Sequence, residues 1–157
     1  MDSTSIITLV KPLYGGYTIG RIQGKAVMVP YGIPDETVRV AIVEDRKDYC
    51  IGAIVDHIET SPSRIAPSCP HFTICGGCDY LHLDYTAELD IKKSIVIDAL
   101  SRIGGMPEDE LPEVQTVEEE RFHYRSHATL KASSGRHGFY RKGSNELVAI
   151  DMTGCLL

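Results

Sequence analysis

No apolar run in this sequence approaches the roughly 20 residues that a membrane-spanning helix needs. The N-terminal stretch Met1 to Val10 carries no basic cluster and only a short, interrupted apolar segment, unlike a secretory signal. A cytoplasmic globular protein with no membrane partner is therefore expected. Phosphate-loop signatures are also missing. Gly15, Gly16 and Gly20 are followed by neither a helix pattern nor a Lys-Ser/Thr pair, and no strand pattern leads through G-x-G-x-x-G glycines into a helix. Four of the six histidines, His57, His123, His127 and His137, show neither metal-ligand spacing nor pairing with a nucleophile. Cysteine is sparse, at five residues, so any disulfide framework leaves one over. A zinc site built from two C-x2-C knuckles would lack its second knuckle.

What is present is concentrated. Cys69, Cys75 and Cys78 form a C-x5-C-x2-C loop, Cys69-Pro70-His71-Phe72-Thr73-Ile74-Cys75-Gly76-Gly77-Cys78, and Cys155 stands near the C-terminus. Proline, glycine, histidine and aspartate surround these cysteines in place of a hydrophobic periodicity, which argues against three independent core residues. Pro70 suits an irregular loop, and Gly76-Gly77 is expected to let it turn sharply. Four thiols are the usual set for an iron-sulfur cluster or a structural zinc. Three close cysteines and one remote one favour iron-sulfur, with zinc as the alternative. Spacing does not distinguish two irons from four. His71 and His82 flank the loop as further ligand candidates, although four cysteines already complete a set. Cys50 reads as a small buried apolar residue.

A formal net charge of −6 would by itself argue against a polyanionic partner. The charge is unevenly placed. Residues 107–120 hold seven carboxylates and no Lys or Arg, whereas residues 121–142 hold six Lys or Arg and no carboxylate. Because salt screens charges beyond about 10 Å, a local basic segment can still meet RNA. Phe122 to Ser133 is expected to be a strand with Arg125, His127, Thr129 and Lys131 on one face. A turn at Ser133 to Arg136 would lead into a second strand, Gly138 to Lys142. Arginines beside aromatic rings suit RNA, whose phosphates take the charge and whose bases stack. The candidate RNA contacts are Arg125, Lys131, Arg141 and Lys142 for phosphates, with Tyr124, Phe139 and Tyr140 for stacking. A half-buried hairpin with a solvated basic face is the plain alternative.

The rest of the chain gives the fold class: mainly β with an α+β part. Five strand patterns, Ile6 to Leu13, Tyr17 to Ile22, Lys25 to Val29, Thr37 to Val43 and Tyr49 to Ile58, predict a small barrel of the oligonucleotide-binding type over residues 1–60. A Pro/Ser linker opens a second segment, 61–106, containing the cysteine loop and a helix capped by Asp84. That helix runs to Ile103, with Leu89, Val96, Leu100 and Ile103 on one stripe. Residues 107–157 form an acidic linker, the basic hairpin and a last strand, Glu146 to Ile150, which delivers Cys155.

Ser61-Pro62-Ser63-Arg64-Ile65, the cysteine loop, Tyr124-Arg125-Ser126, Gly138-Phe139-Tyr140-Arg141 and Gly143-Ser144 leading to Cys155 together resemble a family over essentially the whole chain. It is that of the S-adenosylmethionine-dependent RNA uracil-5-methyltransferases acting on 23S ribosomal RNA and transfer RNA. The resemblance implies a TRAM domain, an RNA-binding barrel, over residues 1–60. It also implies a [4Fe-4S] cluster on Cys69, Cys75, Cys78 and Cys155. Family members continue into a doubly wound domain that binds S-adenosylmethionine (SAM) and carries the catalytic cysteine and base. None of its patterns is found here, so the expectation is an RNA-binding, cluster-bearing portion that is inactive alone. A chain completed by a separate SAM-binding partner, and a metal-bound interaction module that does not act on RNA, are the other readings.

Overall fold

The computed structural model describes residues 4–151 and 155. Six strands, β1 (Thr4–Thr8), β2 (Lys11–Leu13), β3 (Tyr17–Ile22), β4 (Lys25–Pro30), β5 (Thr37–Asp45) and β6 (Tyr49–Glu59), form one sheet in the order β1-β5-β6-β4-β3-β2. All neighbours are antiparallel except β4 and β6, which are parallel. The two edge strands, β1 and β2, are consecutive in the chain and separated only by Leu9 and Val10. The three Cα steps from Thr8 to Lys11 span at most about 10 Å, so the sheet must curl until its edges lie near one another. Gly20 permits the approach: a Cβ there would stand 2.9 Å from both Ile7 Cδ1 and the Thr8 carbonyl oxygen.

The expected single strand from Ile6 to Leu13 is thus two strands. Leu9 turns inward to complete burial, its N–H donating to the Glu36 carbonyl at 2.9 Å and its carbonyl accepting from the Asp35 N–H at 2.7 Å. These bonds divert the chain from β5 towards β3. The other strands fall where alternation placed them, and Gln23-Gly24 forms the tight β3–β4 turn with both φ values positive, at 48° and 84°. The core is Ile7, Leu9, Val27, Val29, Val38, Val40 and Cys50. Cys50 is the small buried residue expected, its thiol donating to Asp45 at 3.2 Å. Ile42 was expected beside Val38 and Val40, but a register shift between Ile42 and Glu44 takes β5 out of the core there.

Helix α1 (Tyr85–Asp98) starts as expected, the Asp84 carboxylate accepting from the Ala87 N–H at 2.8 Å. It passes into a wide π turn over Ala99–Ile103 and ends at Gly105, φ 68°. The expected apolar stripe is not buried: Val96 and Ile103 are exposed, and Glu88 is the helix residue that turns inward. Arg121 and Lys92 hold Glu88 at 2.9 and 2.6 Å, so the helix's buried contact is an ion pair about a quarter turn round from the expected stripe.

A second sheet contains β7 (Lys131–Ser133), β8 (Arg136–Tyr140) and β9 (Leu147–Ala149), antiparallel in the order β7-β8-β9. Ser134 and Gly135, with φ values of 51° and 74°, make the β7–β8 turn. The long strand expected from Phe122 is reduced to three residues. Pairing stops at Lys131 opposite Gly138, and beyond it Thr129 and Tyr140 both line a groove. Unpaired chain keeps no strand geometry, so the two-face argument does not apply to Tyr124 and Arg125.

The curled sheet is tied to the chain beyond it by one buried ion pair. Glu36, fully buried, accepts from the Ile33 and Ser61 N–H groups at 3.0 and 3.2 Å and from Arg64 through two bonds of 2.6 Å. Arg64 also donates to the Tyr31 carbonyl at 2.9 Å. Burial pushes the Glu36 carboxyl upwards, but the Arg64 bonds and the two backbone N–H groups outweigh it and hold the pKa below the usual value. Arg64→Ala leaves this carboxylate buried without its cation and is expected to cost about 3–5 kcal/mol in urea unfolding. Because the folded pKa is the lower one, the pair's contribution is full above the unfolded carboxyl pKa of about 4.3 and lost as pH falls through the folded value. A pH series on Glu36→Gln should lack that acid-side loss.

Candidate metal centre and nucleic-acid groove

The cysteine loop is held from both sides. The Phe72 N–H donates to the Cys69 carbonyl at 3.1 Å, and the Cys75 N–H to the His71 carbonyl at 2.8 Å. Neither Gly76 nor Gly77 has a positive φ; Thr73, at 72°, takes the left-handed position. Gly76 serves close approach instead. Its N–H donates to the Tyr140 carbonyl at 2.9 Å, and a Cβ there would stand 2.7 Å from that same oxygen. A bridge between Cys75 and Arg141 continues the contact, laying the loop on the end of β8.

Cys69, Cys75, Cys78 and Cys155 line one pocket, walled by Phe72, Leu81, Phe139 and Ile150. None of the four is in a disulfide. Burial, and then the other three thiols, push the Cys78 thiol up to about 11. Cys75 is raised by burial, with Cys69 and Cys155 adding to the shift against the Gly77 N–H. A set of sulfurs that disfavour one another's thiolates suits a positively charged centre, which would reverse the sign of that effect. Among the described residues, no three His, Cys, Asp or Glu donors are placed to hold a single metal ion. Around one zinc, every sulfur must stand about 2.3 Å from a single point. Cluster ligands bind different iron atoms and face a shared pocket from farther apart.

His82 is not beside the thiols as a ligand. It is buried against Phe72, the rings stacked at 5.5 Å and 27°, and burial depresses its pKa to about 4. His71 lines the thiol pocket.

Five of the seven expected RNA contacts, Lys131, Phe139, Tyr140, Arg141 and Lys142, line a second, open groove of about 720 Å³. The opposite wall is the β2–β3 turn with Tyr14 and Tyr17, and Tyr80 lies beside it. Tyr14 is 88% exposed. The Lys131 ammonium stands 5.7 Å from the Tyr140 ring, and Arg141 pairs with Glu146 at 2.7 Å. Lys142 is engaged internally: its ammonium donates to the Gly15 carbonyl and to Asp79 at 2.5 Å each, over the rings of Tyr17 and Tyr31. It locks the small sheet to the large one. The other two residues, Tyr124 and Arg125, line a separate hollow with Lys92 and Arg121. Phe139 borders both the groove and the thiol pocket.

No family model matches this sequence. It is 37% identical, over 99% of its length, to an uncharacterized RNA methyltransferase of Aquifex aeolicus. It is 33% identical, over 86% of its length, to the 23S rRNA (uracil(1939)-C(5))-methyltransferase of a Shewanella strain. The chain belongs to the RNA methyltransferase family. It spans about a third of these relatives, 36% of the first and 31% of the second. Its fold is similar to part of the crystal structure of the Pyrococcus abyssi tRNA (uracil-54, C5)-methyltransferase in complex with S-adenosyl-L-homocysteine. That match has a TM-score of 0.56 at 24% identity and covers 92% of this chain and 31% of that one.

Sequence reasoning grouped the thiols and the basic strand but missed Tyr14, Tyr17 and Tyr80, which line the groove. Tyr14 precedes a glycine turn, Tyr17 opens β3 and Tyr80 lies beside the cysteine loop, so no single periodicity groups them. The pairing of Lys142 predicts that Lys142→Ala destabilises the fold, whereas Lys131→Ala, at an exposed residue, should leave thermal stability unchanged. Parallel melting curves check the contrast.

Proposed function

We propose that this chain is the RNA-holding part of a uracil-5 methyltransferase, built around a [4Fe-4S] cluster on Cys69, Cys75, Cys78 and Cys155. The carrying observation is that four thiols, three from one loop and one far along the chain, line a single pocket whose wall is shared with the groove through Phe139. The cluster's part in this reading is structural. It joins residues 69–78 to position 155, closes a long stretch of chain and fixes β8 against the loop. Three close cysteines with one remote one, and the family resemblance, favour it over zinc.

The curled sheet is read as the TRAM barrel, which supplies the tyrosine wall of the groove. RNA lies between that wall and β8, with Lys131 and Arg141 against phosphates and Tyr14 and Tyr140 under unstacked bases. Tyr124 and Arg125 meet the strand where it leaves the groove. The relatives' names supply the substrate class, RNA, with 23S ribosomal RNA named for one of them. Methyl transfer is assigned to the SAM-binding part that such enzymes carry, on the same or a separate chain. No step falls on Cys50, because burial and Asp45 raise its thiol pKa, the opposite of what a nucleophile needs. An interaction module that ignores RNA is the competing reading.

Anaerobic purification should give iron and acid-labile sulfide with visible absorption, and Cys155→Ser should lose both; one zinc without sulfide would remove the cluster. RNA titrations at several salt concentrations should weaken steeply with salt. Lys131→Ala or Arg125→Ala should reduce that salt slope by about 1 each. Binding that ignores salt, or equals wild type in both variants, favours the interaction module.

A further inference from the structure

Two smaller hollows adjoin the groove. Lys131 and Tyr140 line both the groove and a hollow at Ser133, Arg136 and Glu146. Asp79 and Tyr80 line both the groove and the other hollow, of about 230 Å³, which lies between the end of the cysteine loop, helix α1 and the chain at Arg121 to Arg125. At about 30 Å³ for each water in the liquid, this second hollow holds the volume of roughly eight waters. A phosphate with part of its sugar fits there, and a duplex does not. His123, with φ 57°, turns the chain so that Arg121 and Phe122 before it and Tyr124 and Arg125 after it line the same space.

A single strand is held where cations for its phosphates alternate with rings for its bases. The second hollow repeats that pairing three times. The Lys92 ammonium stands 5.6 Å from the Tyr80 ring, the Arg121 guanidinium 5.2 Å from Phe122 and the Arg125 guanidinium 5.6 Å from Tyr124. At the Arg136 hollow there is one such pair, Lys131 with Tyr140, and it already belongs to the groove.

The two carboxylates of the second hollow are matched. Asp79 is held by Lys142 at 2.5 Å, and Glu88 by Arg121 and Lys92. Arg121 is committed to the fold, since it also donates to the Tyr80 and Leu83 carbonyls. Lys92 and Arg125 have capacity left. An ammonium has three donors; Glu88 takes one of those on Lys92, whose side chain is half-exposed. Arg125 is exposed and has no carboxylate partner among the described residues.

From this arrangement we infer that the second hollow is a further RNA site, with Lys92 and Arg125 as its phosphate contacts and Tyr80 as the ring between it and the groove. The inference rests on the RNA reading above and adds helix α1 to the surface that the strand follows. It also gives the strand a direction, past the cysteine loop and away from Arg136.

Oligouridylates of increasing length are titrated into the metal-loaded wild-type protein, Lys92→Gln and Arg136→Gln at several salt concentrations. Glu88 keeps Arg121 in Lys92→Gln, so the fold survives, and melting curves verify it. The shortest strands should bind wild type and Lys92→Gln alike. As length grows, Lys92→Gln should fall roughly 2- to 5-fold below wild type, with a salt slope lower by about 0.7. Arg136→Gln should follow wild type at every length. A merely structural role for Lys92 would not change the number of counterions released, so the slope identifies a phosphate contact. If Lys92→Gln keeps the wild-type slope at every length while Lys131→Ala lowers it, the hollow is off the track and the RNA reading stands. If Arg136→Gln alone shows the length-dependent loss, the strand leaves by the other hollow and the inference is overturned. If no strand binds wild type in a salt-dependent way, the inference and the RNA reading fall together.

Discussion

One buried ion pair organises the molecule. Glu36 sits at the start of β5 with no exposed surface, and its two oxygens take four hydrogen bonds from three places in the chain. A carboxylate cannot be taken out of water without such compensation. Its demands therefore dictate where Ile33, Ser61 and Arg64 lie. Arg64 in turn holds the Tyr31 carbonyl, and the chain from Arg64 leads directly into the cysteine loop. The curled sheet and the thiol pocket are thus positioned by the same carboxylate, although neither shares a strand with the other.

From that anchor the remaining contacts are short-range. The cysteine loop rests on β8 through Gly76, and Lys142 just beyond β8 returns to the β2–β3 turn through Gly15 and to the end of the cysteine loop through Asp79. The result is a ring of connections from the large sheet, through the loop and the small sheet, back to the large sheet. The groove lies inside this ring, with aromatic side chains on both walls. A metal centre in the thiol pocket would add a further closure, from residues 69–78 to Cys155. That explains how a chain with so small an apolar core could keep two separate sheets in register.

The parts legible from sequence were those with a local cause. The β3–β4 turn follows from Gln23-Gly24, the helix start from Asp84, and the inward face of β5 from the alternation of Val38 and Val40. Each is decided by residues within a few positions. The misread parts had distant causes. The first strand breaks at Leu9 because Glu36 and Asp35 capture its backbone. The basic strand shortens because its pairing with β8 begins only at Lys131, opposite Gly138, while β8 runs on to Tyr140 against β9. The helix hides Glu88 instead of its apolar stripe because Arg121, 33 positions on, is there to meet it. Lys142 looked like a free cation in the sequence, since nothing local announces the Gly15 carbonyl 127 positions earlier.

The sequence by itself determined the donor chemistry: four thiols in a spacing that suits a soft metal centre, a basic aromatic segment apart from an acidic one, and a run of short strands. Tertiary structure alone decided which of these groups share a space. It put Cys155 into the pocket of the other three and set Tyr14 and Tyr17 opposite Tyr140. Residue type and spacing state what a side chain can do, whereas its neighbours depend on where long-range hydrogen bonds and ion pairs bend the chain, and those are settled only when the whole chain is packed.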